Sequence, residues 1–467
     1  MHNLPKKVHI IGICGVATSA LAIALHQAGV KVTGSDKGFF PPVSTELEKH
    51  GVKFWAGWHP EKMAEDLPDL VVITTASGSK NPETLYAREH GLKCASYTEV
   101  FRDYFIKENS IVCAGTWGKT SSSALLSHIM SEANLDPSYM FGGISLSHES
   151  AAHLGKSDWS VFEGDEYKSG PNDPTAKFFY YKPKYLLLTK VSWDHADLYP
   201  TEESYFDAFK KLVKGIPTSG FIVASKDQEG IPETLKDYTG KVIWYGKSGD
   251  YSFEGVKQST IGLDFIIKHN GETFHIKSPM LGAFQAENIT GCFAMAHKLG
   301  VPAEKIISAI ASFKGMKRRL EKRLDGETTK GKITVFDDIA HSPEKAASVL
   351  KELRSIYKGQ IIAVFEPNQG GRERASAAKY DGAFKDADIV VITRLTKLKI
   401  SDEKEAPMEG PELAMTIGRT HTKCQYIEND NNLVNFLKSS AGQGDVIVFL
   451  GSHGFRGMIE ETVDKLS

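Results

Sequence analysis

Apolar positions along this chain follow two alternating periods. Short β-branched runs (Val8-His9-Ile10-Ile11, Val30-Lys31-Val32-Thr33-Gly34 and residues 70–74) are separated by stretches such as 18–27, where apolar residues repeat at helical spacing. That alternation predicts a parallel sheet with crossover helices. A charged, helix-like stretch at 99–108 closes this first unit. A second unit opens with the apolar strand Ile111-Val112-Cys113-Ala114, which runs into a glycine loop and a helix from Ser121. Further apolar runs follow at 159–162 and 185–189. Between 221 and 276 the pattern becomes β-rich, with Tyr-Gly, Ser-Gly-Asp and Asn-Gly-Glu turns. Apolar helices at 289–299 and 305–313 end the unit. Beyond a basic cluster at 314–323, buried-strand patterns return at 333–336, 361–365, 389–392 and 446–450. The expected architecture is three α/β domains in series, spanning 1–107, 108–323 and 324–467.

The bulk figures narrow the class. A chain of 467 residues is too long for one ordinary core, and 41% hydrophobic with 24% charged residues is a globular balance. A formal net charge of −2 excludes a strongly basic nucleic-acid surface. No apolar run reaches the 18 or so residues of a membrane span, so neither nucleic acid nor membrane is an expected partner. Cys14, Cys94, Cys113, Cys292 and Cys424 are odd in number, scattered and without a CxxC pair. Reduced thiols and a cytoplasmic location are the expectation.

The strongest chemical signal is Gly115-Thr116-Trp117-Gly118-Lys119-Thr120. A strand delivers the chain to Gly115, Gly118 allows close backbone approach to an anion, and Lys119 supplies a cation. The next helix turns its amide end to the same place. Thr120 can offer a hydroxyl to Mg²⁺, although Cys113 stands where the general GxxxxGK[ST] pattern has its first glycine. Glu163-Gly164-Asp165-Glu166 ends another strand and offers either Mg²⁺ ligands or a solvated acidic turn. Asp194-His195 follows a third strand and can reach the same edge. Gly12-Ile13-Cys14-Gly15, with Asp36 after the next strand, fits a turn cradling NAD or another diphosphate such as a nucleotide sugar. Asp337-Asp338-Ile339-Ala340-His341-Ser342-Pro343 follows a strand, where an acid can bind ribose hydroxyls or cap a helix. Lys317, Arg318, Arg319, Lys322 and Arg323 form either a solvated basic face or a polyphosphate contact.

These features in this order, with Gly34-Ser35-Asp36, Asn81-Pro82-Glu83 and Arg319-Leu320-Glu321, resemble the Mur ligase family, the ATP-dependent amide-forming enzymes of peptidoglycan synthesis. The resemblance covers the whole chain. It implies a Rossmann-like N-terminal domain, a central P-loop-type ATPase domain with an added β-rich part, and a Rossmann-like C-terminal domain. It also implies ATP and Mg²⁺ as cofactors. Gly115, Thr116, Gly118, Lys119, Thr120, Asn288, Arg319 and Asp338 would hold the nucleotide, with Thr120 and Glu163 on one Mg²⁺ and His195 on a second. Gly12, Gly15, Asp36 and Ser77 would surround a UDP group, and His341 and Arg372 would also bind substrate. Lys119, Glu163 and His195 are the expected catalytic set. Within the family, Phe40-Pro41-Pro42-Val43-Ser44-Thr45, Asp165-Glu166-Tyr167, Lys177-Phe178 and Gly454-Phe455 most resemble the branch that joins UDP-N-acetylmuramate to the tripeptide L-Ala-γ-D-Glu-meso-diaminopimelate in recycling. The alternatives are the branch that adds L-alanine and a nucleotide-sugar binder without catalysis. A monomer or weak homodimer, with domains that close on substrate, is expected. Trp117, Lys190 and Phe284-Gln285 depart from the family pattern, and Phe209 stands where several branches carry a carbamylated lysine.

Overall fold

A computed structural model describes residues 3–41, 43–74, 78, 80–170, 173–397 and 406–467. The expected ligand residue Ser77 lies outside the described residues. The first alternation forms a five-stranded parallel sheet in the spatial order Lys53–Ala56, Lys31–Asp36, Lys7–Ile11, Leu70–Ile73, Cys94–Ser96. Strand order reverses around Lys7–Ile11, which creates a crevice at its carboxyl end, where Gly12 follows. Residues 99–108 do not form one helix. Ser96 and Glu99 build a capping box for the short helix Tyr97–Val100, which continues as a π-helical turn, Phe101–Phe105. Burying both Phe101 and Phe105 accompanies this widened turn, in which the Ile106 amide donates to the Phe101 carbonyl at 3.0 Å.

The central sheet has ten strands, and its parallel heart runs Val242–Gly246, Phe221–Ser225, Tyr185–Leu188, Asn109–Ala114, Trp159–Gly164, Ser138–Met140. Ile111, Val112, Cys113 and Ala114 are buried, as the middle of a sheet covered on both faces requires. The β-rich stretch adds Tyr251–Ser259, Gly262–His269 and Glu272–Ser278 at one edge. Because Asn109–Ala114 lies between Tyr185–Leu188 and Trp159–Gly164, the segments after three neighbouring parallel strands open on one sheet edge. Those are the segments carrying Lys119, Glu163 and His195.

The third sheet runs Glu321–Thr328, Gly331–Asp338, Val446–Gly451, Ile361–Glu366, Ile389–Thr393, Cys424–Ile427; its first pair is antiparallel and the rest parallel. The hairpin starts at Glu321, so the expected junction at 323/324 falls within a strand. Leu350 and Leu353 belong to the core on one side of this sheet, and Leu433, Leu437 and Met458 to the core on the other. By compactness the chain forms two units: Met1–Val256 with Asp264–Ser278 and Phe284–Lys314, and Lys257–Leu263 with Pro279–Ala283 and Gly315–Ser467. The first two sheets therefore share one unit.

Candidate active site

Two glycines shape the central loop. Gly115 has φ +141, and a Cβ there would sit 2.3 Å from Thr189 Oγ1 and 2.7 Å from the Lys190 carbonyl. Gly118 has φ +85 and precedes the helix Lys119–Glu132 as its N-cap, with no side-chain cap on the helix amides. A helix start left uncapped beside a lysine is a ready anion site.

Lys119 Nζ lies 3.1 and 3.0 Å from the two carboxylate oxygens of Glu166. Glu166 is fully buried, and its Oε2 accepts no hydrogen bond of good geometry despite the nearby charge. His195 Nε2 is 3.5 Å from Oε1 of the same carboxylate, and the Tyr205 hydroxyl donates to it at 3.3 Å. The Tyr199 hydroxyl fixes the Glu166 carbonyl at 2.7 Å, while Thr116 bonds Tyr205 and the Ser192 backbone. Burial pulls the Lys119 ammonium down, but Glu166, Glu163 and Asp165 outweigh it and raise its pKa. Pairing with Glu166 raises His195 above the usual histidine value. His195 holds φ +54, a strained setting that turns it back toward this cluster.

Beside it, the Thr120 hydroxyl donates to Glu163 Oε1 at 2.8 Å and the Gly142 amide to Oε2 at 2.5 Å. Burial raises the Glu163 pKa. Asp165 pairs with Lys177 at 2.5 Å. Among the described residues no three His, Cys, Asp or Glu side chains converge as a self-contained metal site. The Thr120 hydroxyl and the Glu163 carboxylate instead fit Mg²⁺, which takes few protein ligands and completes its shell with phosphate and water.

The residues outside the family pattern have clear places. Lys190 Nζ sits 4.3 Å over the ring of Trp117, which is 58% exposed. Phe284, 51% exposed, precedes the helix Gln285–Lys298. Asn288, on that helix, lies against Gly118, where an added Cβ would come within 2.6 Å of Asn288 Oδ1. Phe209 is fully buried, its ring packed against Phe178 and Tyr205. The adjacent Lys210 pairs at the surface with Glu233.

In the first sheet, Gly12 has φ +81 and its amide donates to the Ser35 carbonyl; Gly15 caps the helix Val16–Gln27. Asp36 is turned onto the same loop, accepting the Cys14 amide at 2.9 Å. Beneath it lies a group that the motif reading did not assign. Buried Glu83 accepts from the Ser35 hydroxyl and from the His59 amide at 2.8 Å, with His9 Nε2 at 3.5 Å. Burial works to raise Glu83, but His9, Ser35 and the His59 amide hold its pKa below the ordinary glutamate value.

In the second compact unit, Arg319 is exposed between Arg318 (φ +57) and Leu320 (φ +48). Asp338 accepts the Leu320 amide at 2.7 Å and the Ala340 amide at 2.8 Å, so its oxygens hold the backbone that presents Arg319. Arg318, part of the expected basic face, instead ties down the carbonyls of Gly451, Ser452 and His453. His341 Nδ1 bonds the Ile339 carbonyl at 2.6 Å, and burial lowers its pKa. Arg372 is buried and gives Nε to the Met408 carbonyl, one terminal nitrogen to the Thr396 carbonyl and the other to Glu409. Its donors face the protein rather than an open site.

Lys119, Thr120, Glu163 and His195 thus converge. Glu166, Tyr205 and Gly142 join them; the acidic run after Glu163 signalled only the first, because sheet order rather than local spacing brings in the others.

Comparison with known proteins places this arrangement. Residues 7–106 match the model of the Mur ligase family catalytic domain, 113–296 the Mur ligase middle domain, and 318–453 the Mur ligase glutamate ligase domain. A UDP-N-acetylmuramate–L-alanine ligase of Xanthobacter autotrophicus is 31% identical over 96% of this chain and 95% of its own. A UDP-N-acetylmuramate–L-alanyl-γ-D-glutamyl-meso-2,6-diaminoheptandioate ligase of Haemophilus influenzae is 29% identical over 99% of both chains. The fold is shared with the solved UDP-N-acetylmuramate-alanine ligase of Thermotoga maritima, with a TM-score of 0.80, 24% identity and 98% of both chains covered. The chain belongs to the Mur ligase family, and with it to the ATP-dependent ligases that join an acid to an amino acid. The tripeptide branch is not singled out, since relatives of both branches match along the chain. Among the described residues no helix is long and apolar enough to cross a membrane.

Proposed function

We propose that this protein joins UDP-N-acetylmuramate to L-alanine at the expense of ATP. The chemistry rests on one observation, the convergence of Lys119, Thr120, Glu163 and His195 around buried Glu166. The choice of amine is supported by the 31% identical alanine-adding relative.

In this reading the uncapped amides of the helix Lys119–Glu132 and the Lys119 ammonium hold the ATP phosphates. The muramyl carboxylate attacks the γ-phosphorus, ADP leaves, and an acyl phosphate forms. The alanine amine then attacks the acyl carbon, phosphate departs, and the amine loses a proton. The first step brings two anions together, so fixed positive charge is its main requirement. Lys119 supplies a cation, and His195 lies beside it on the same carboxylate. Thr120 and Glu163 would hold Mg²⁺, which neutralises phosphate charge when bound. In the N-terminal sheet, Gly12, Gly15 and the Asp36-braced loop would receive the UDP group.

The second reading, ligation of the tripeptide, is supported by the Haemophilus influenzae relative, which aligns over 99% of both chains. ADP formation is measured with UDP-N-acetylmuramate, ATP and Mg²⁺, adding either L-alanine or the tripeptide. Turnover with alanine is expected. Turnover with the tripeptide alone would transfer the protein to the second reading. Silence with both, in protein that still binds the nucleotide sugar, would make it a binder without ligase activity.

A further inference from the structure

Glu83 is a fully buried carboxylate that takes no part in the chemistry above. It stands in the first turn of the helix Pro82–Glu89, yet it does not cap that helix. Asn81 does, accepting the Glu83 and Thr84 amides at 2.9 and 3.3 Å. Nor does Glu83 fill the core; Ala87, one helical turn on, belongs with Ile11, Met63 and Val71 to the apolar cluster here. Burying an ionised carboxylate is unfavourable unless its oxygens are answered, so what those oxygens hold decides what Glu83 does.

They hold the end of a strand. One oxygen accepts the Ser35 hydroxyl and lies 3.5 Å from His9 Nε2; the other accepts the His59 amide at 2.8 Å. Ser35 is the hub. While its hydroxyl donates to Glu83, its carbonyl accepts the amides of Gly12 and Ile13, at 2.8 and 3.0 Å. Its neighbour Asp36 accepts the Cys14 amide at 2.9 Å on its carboxylate and the Gly57 amide at 2.7 Å on its carbonyl. Three successive amides of the Gly12 turn are therefore set by the position of residues 35 and 36. Past them, Gly15 precedes the helix Val16–Gln27, whose first amides have no side-chain cap and suit a phosphate.

We propose that Glu83 is a positioning residue for the nucleotide sugar: through Ser35 it fixes the Gly12 turn in the shape that receives the diphosphate. The proposal rests on the UDP reading of that turn and adds the group that sets its geometry. Glu83, being fully buried, acts only through these bonds. A carboxylate suits the task because both of its oxygens only accept, which fixes the Ser35 hydroxyl as a donor. Glutamine has the same shape with an NH2 group in place of one oxygen. It can still accept the His59 amide, and it then turns a donor to Ser35 where an acceptor stood.

Isothermal titration of the full chain with UDP and with ADP, each with Mg²⁺, tests this without any ligation step. Glu83→Gln should weaken UDP by about tenfold, the size of one hydrogen bond to a charged group. ADP, assigned above to the central sheet, should stay within about twofold. Ser35→Ala should act in the same direction as Glu83→Gln. Adding Glu83→Gln to it should weaken UDP by less than about twofold more, because the effect passes through Ser35. In steady state, KM for UDP-N-acetylmuramate should rise while kcat holds within about twofold. Unaltered UDP affinity in Glu83→Gln, equal losses of UDP and ADP, or multiplying losses in the double variant would each overturn the proposal. Gly12→Val separates it from the reading beneath it. If that change leaves UDP binding untouched, the turn is not the UDP site and the role of Glu83 falls with it. If it abolishes UDP binding while Glu83→Gln alters nothing, the turn stands and Glu83 alone loses its role.

Discussion

The cluster at Lys119 and the cluster at Arg372 use the same ingredients, a buried cation, a glutamate and backbone carbonyls, yet they end in opposite states. Arg372 engages all three of its nitrogens, with Met408, Thr396 and Glu409. Lys119 serves a single buried carboxylate whose second oxygen lacks a well-formed hydrogen bond, in a setting crowded by Glu163, Asp165 and His195. A saturated network fixes a fold. An unsaturated one, held in place by Tyr199, Tyr205 and Thr116, is set to exchange a protein partner for a ligand. Residue type alone does not separate the two.

The largest effect should come from the open cluster. Lys119→Met removes the cation that holds phosphate, and ADP formation should fall by about 10³-fold or more. It also takes from buried Glu166 its lysine partner, so the melting temperature should drop, and Glu166→Gln in the same chain should recover part of that drop without restoring turnover. Additive losses of stability in the double variant would show that the two side chains are not coupled.

Arg372→Met probes the closed cluster. Unfolding stability should fall by about 2 kcal/mol, because the buried guanidinium and its bonds to the Met408 and Thr396 carbonyls are lost. Activity per folded molecule should stay within about twofold, since no Arg372 nitrogen faces an open site. Unchanged stability together with a tenfold rise in KM for the amine would return Arg372 to the substrate-binding role that the family resemblance implied.

This contrast also marks how far the sequence was legible. Alternating apolar runs gave three sheets, and the glycine loop with Lys119-Thr120 stood out because conformation and chemistry coincide there. Glu163 and His195 were readable as residues at strand ends. Tyr205 and Gly142 were not, since they reach the site only through the packing of non-adjacent segments. Glu83 could be seen in a motif, but its partners Ser35, His9 and the His59 amide lie 24 or more residues away. Arg318 and Arg319 are adjacent in a basic run, and only the positive-φ turn decides that one is folded inward while the other is presented. The π-helical turn at Phe101–Phe105 escaped a periodic reading because it inserts an extra residue per turn.

The smallest effect sharpens the comparison within the second unit, between two neighbouring aspartates. Asp338 accepts two backbone amides, at 2.7 and 2.8 Å. Asp337 faces Arg318 and Arg323, at 3.4 and 3.6 Å, and burial pushes its pKa up to about 6 in spite of them. An unfolded aspartate titrates near 3.9, so between roughly pH 4 and 6 the folded chain holds a proton that the unfolded chain has lost. The resulting stabilisation is fully present below pH 4 and is lost as pH rises through 6. Asp337→Asn abolishes that dependence. Measured by urea unfolding from pH 4 to 7, the stability of the variant relative to the parent should rise with pH, by on the order of 2 kcal/mol across the window. A difference that stays flat, or shrinks toward neutral pH, would mean that the two arginines hold Asp337 ionised after all, and that it belongs with the saturated groups of this unit.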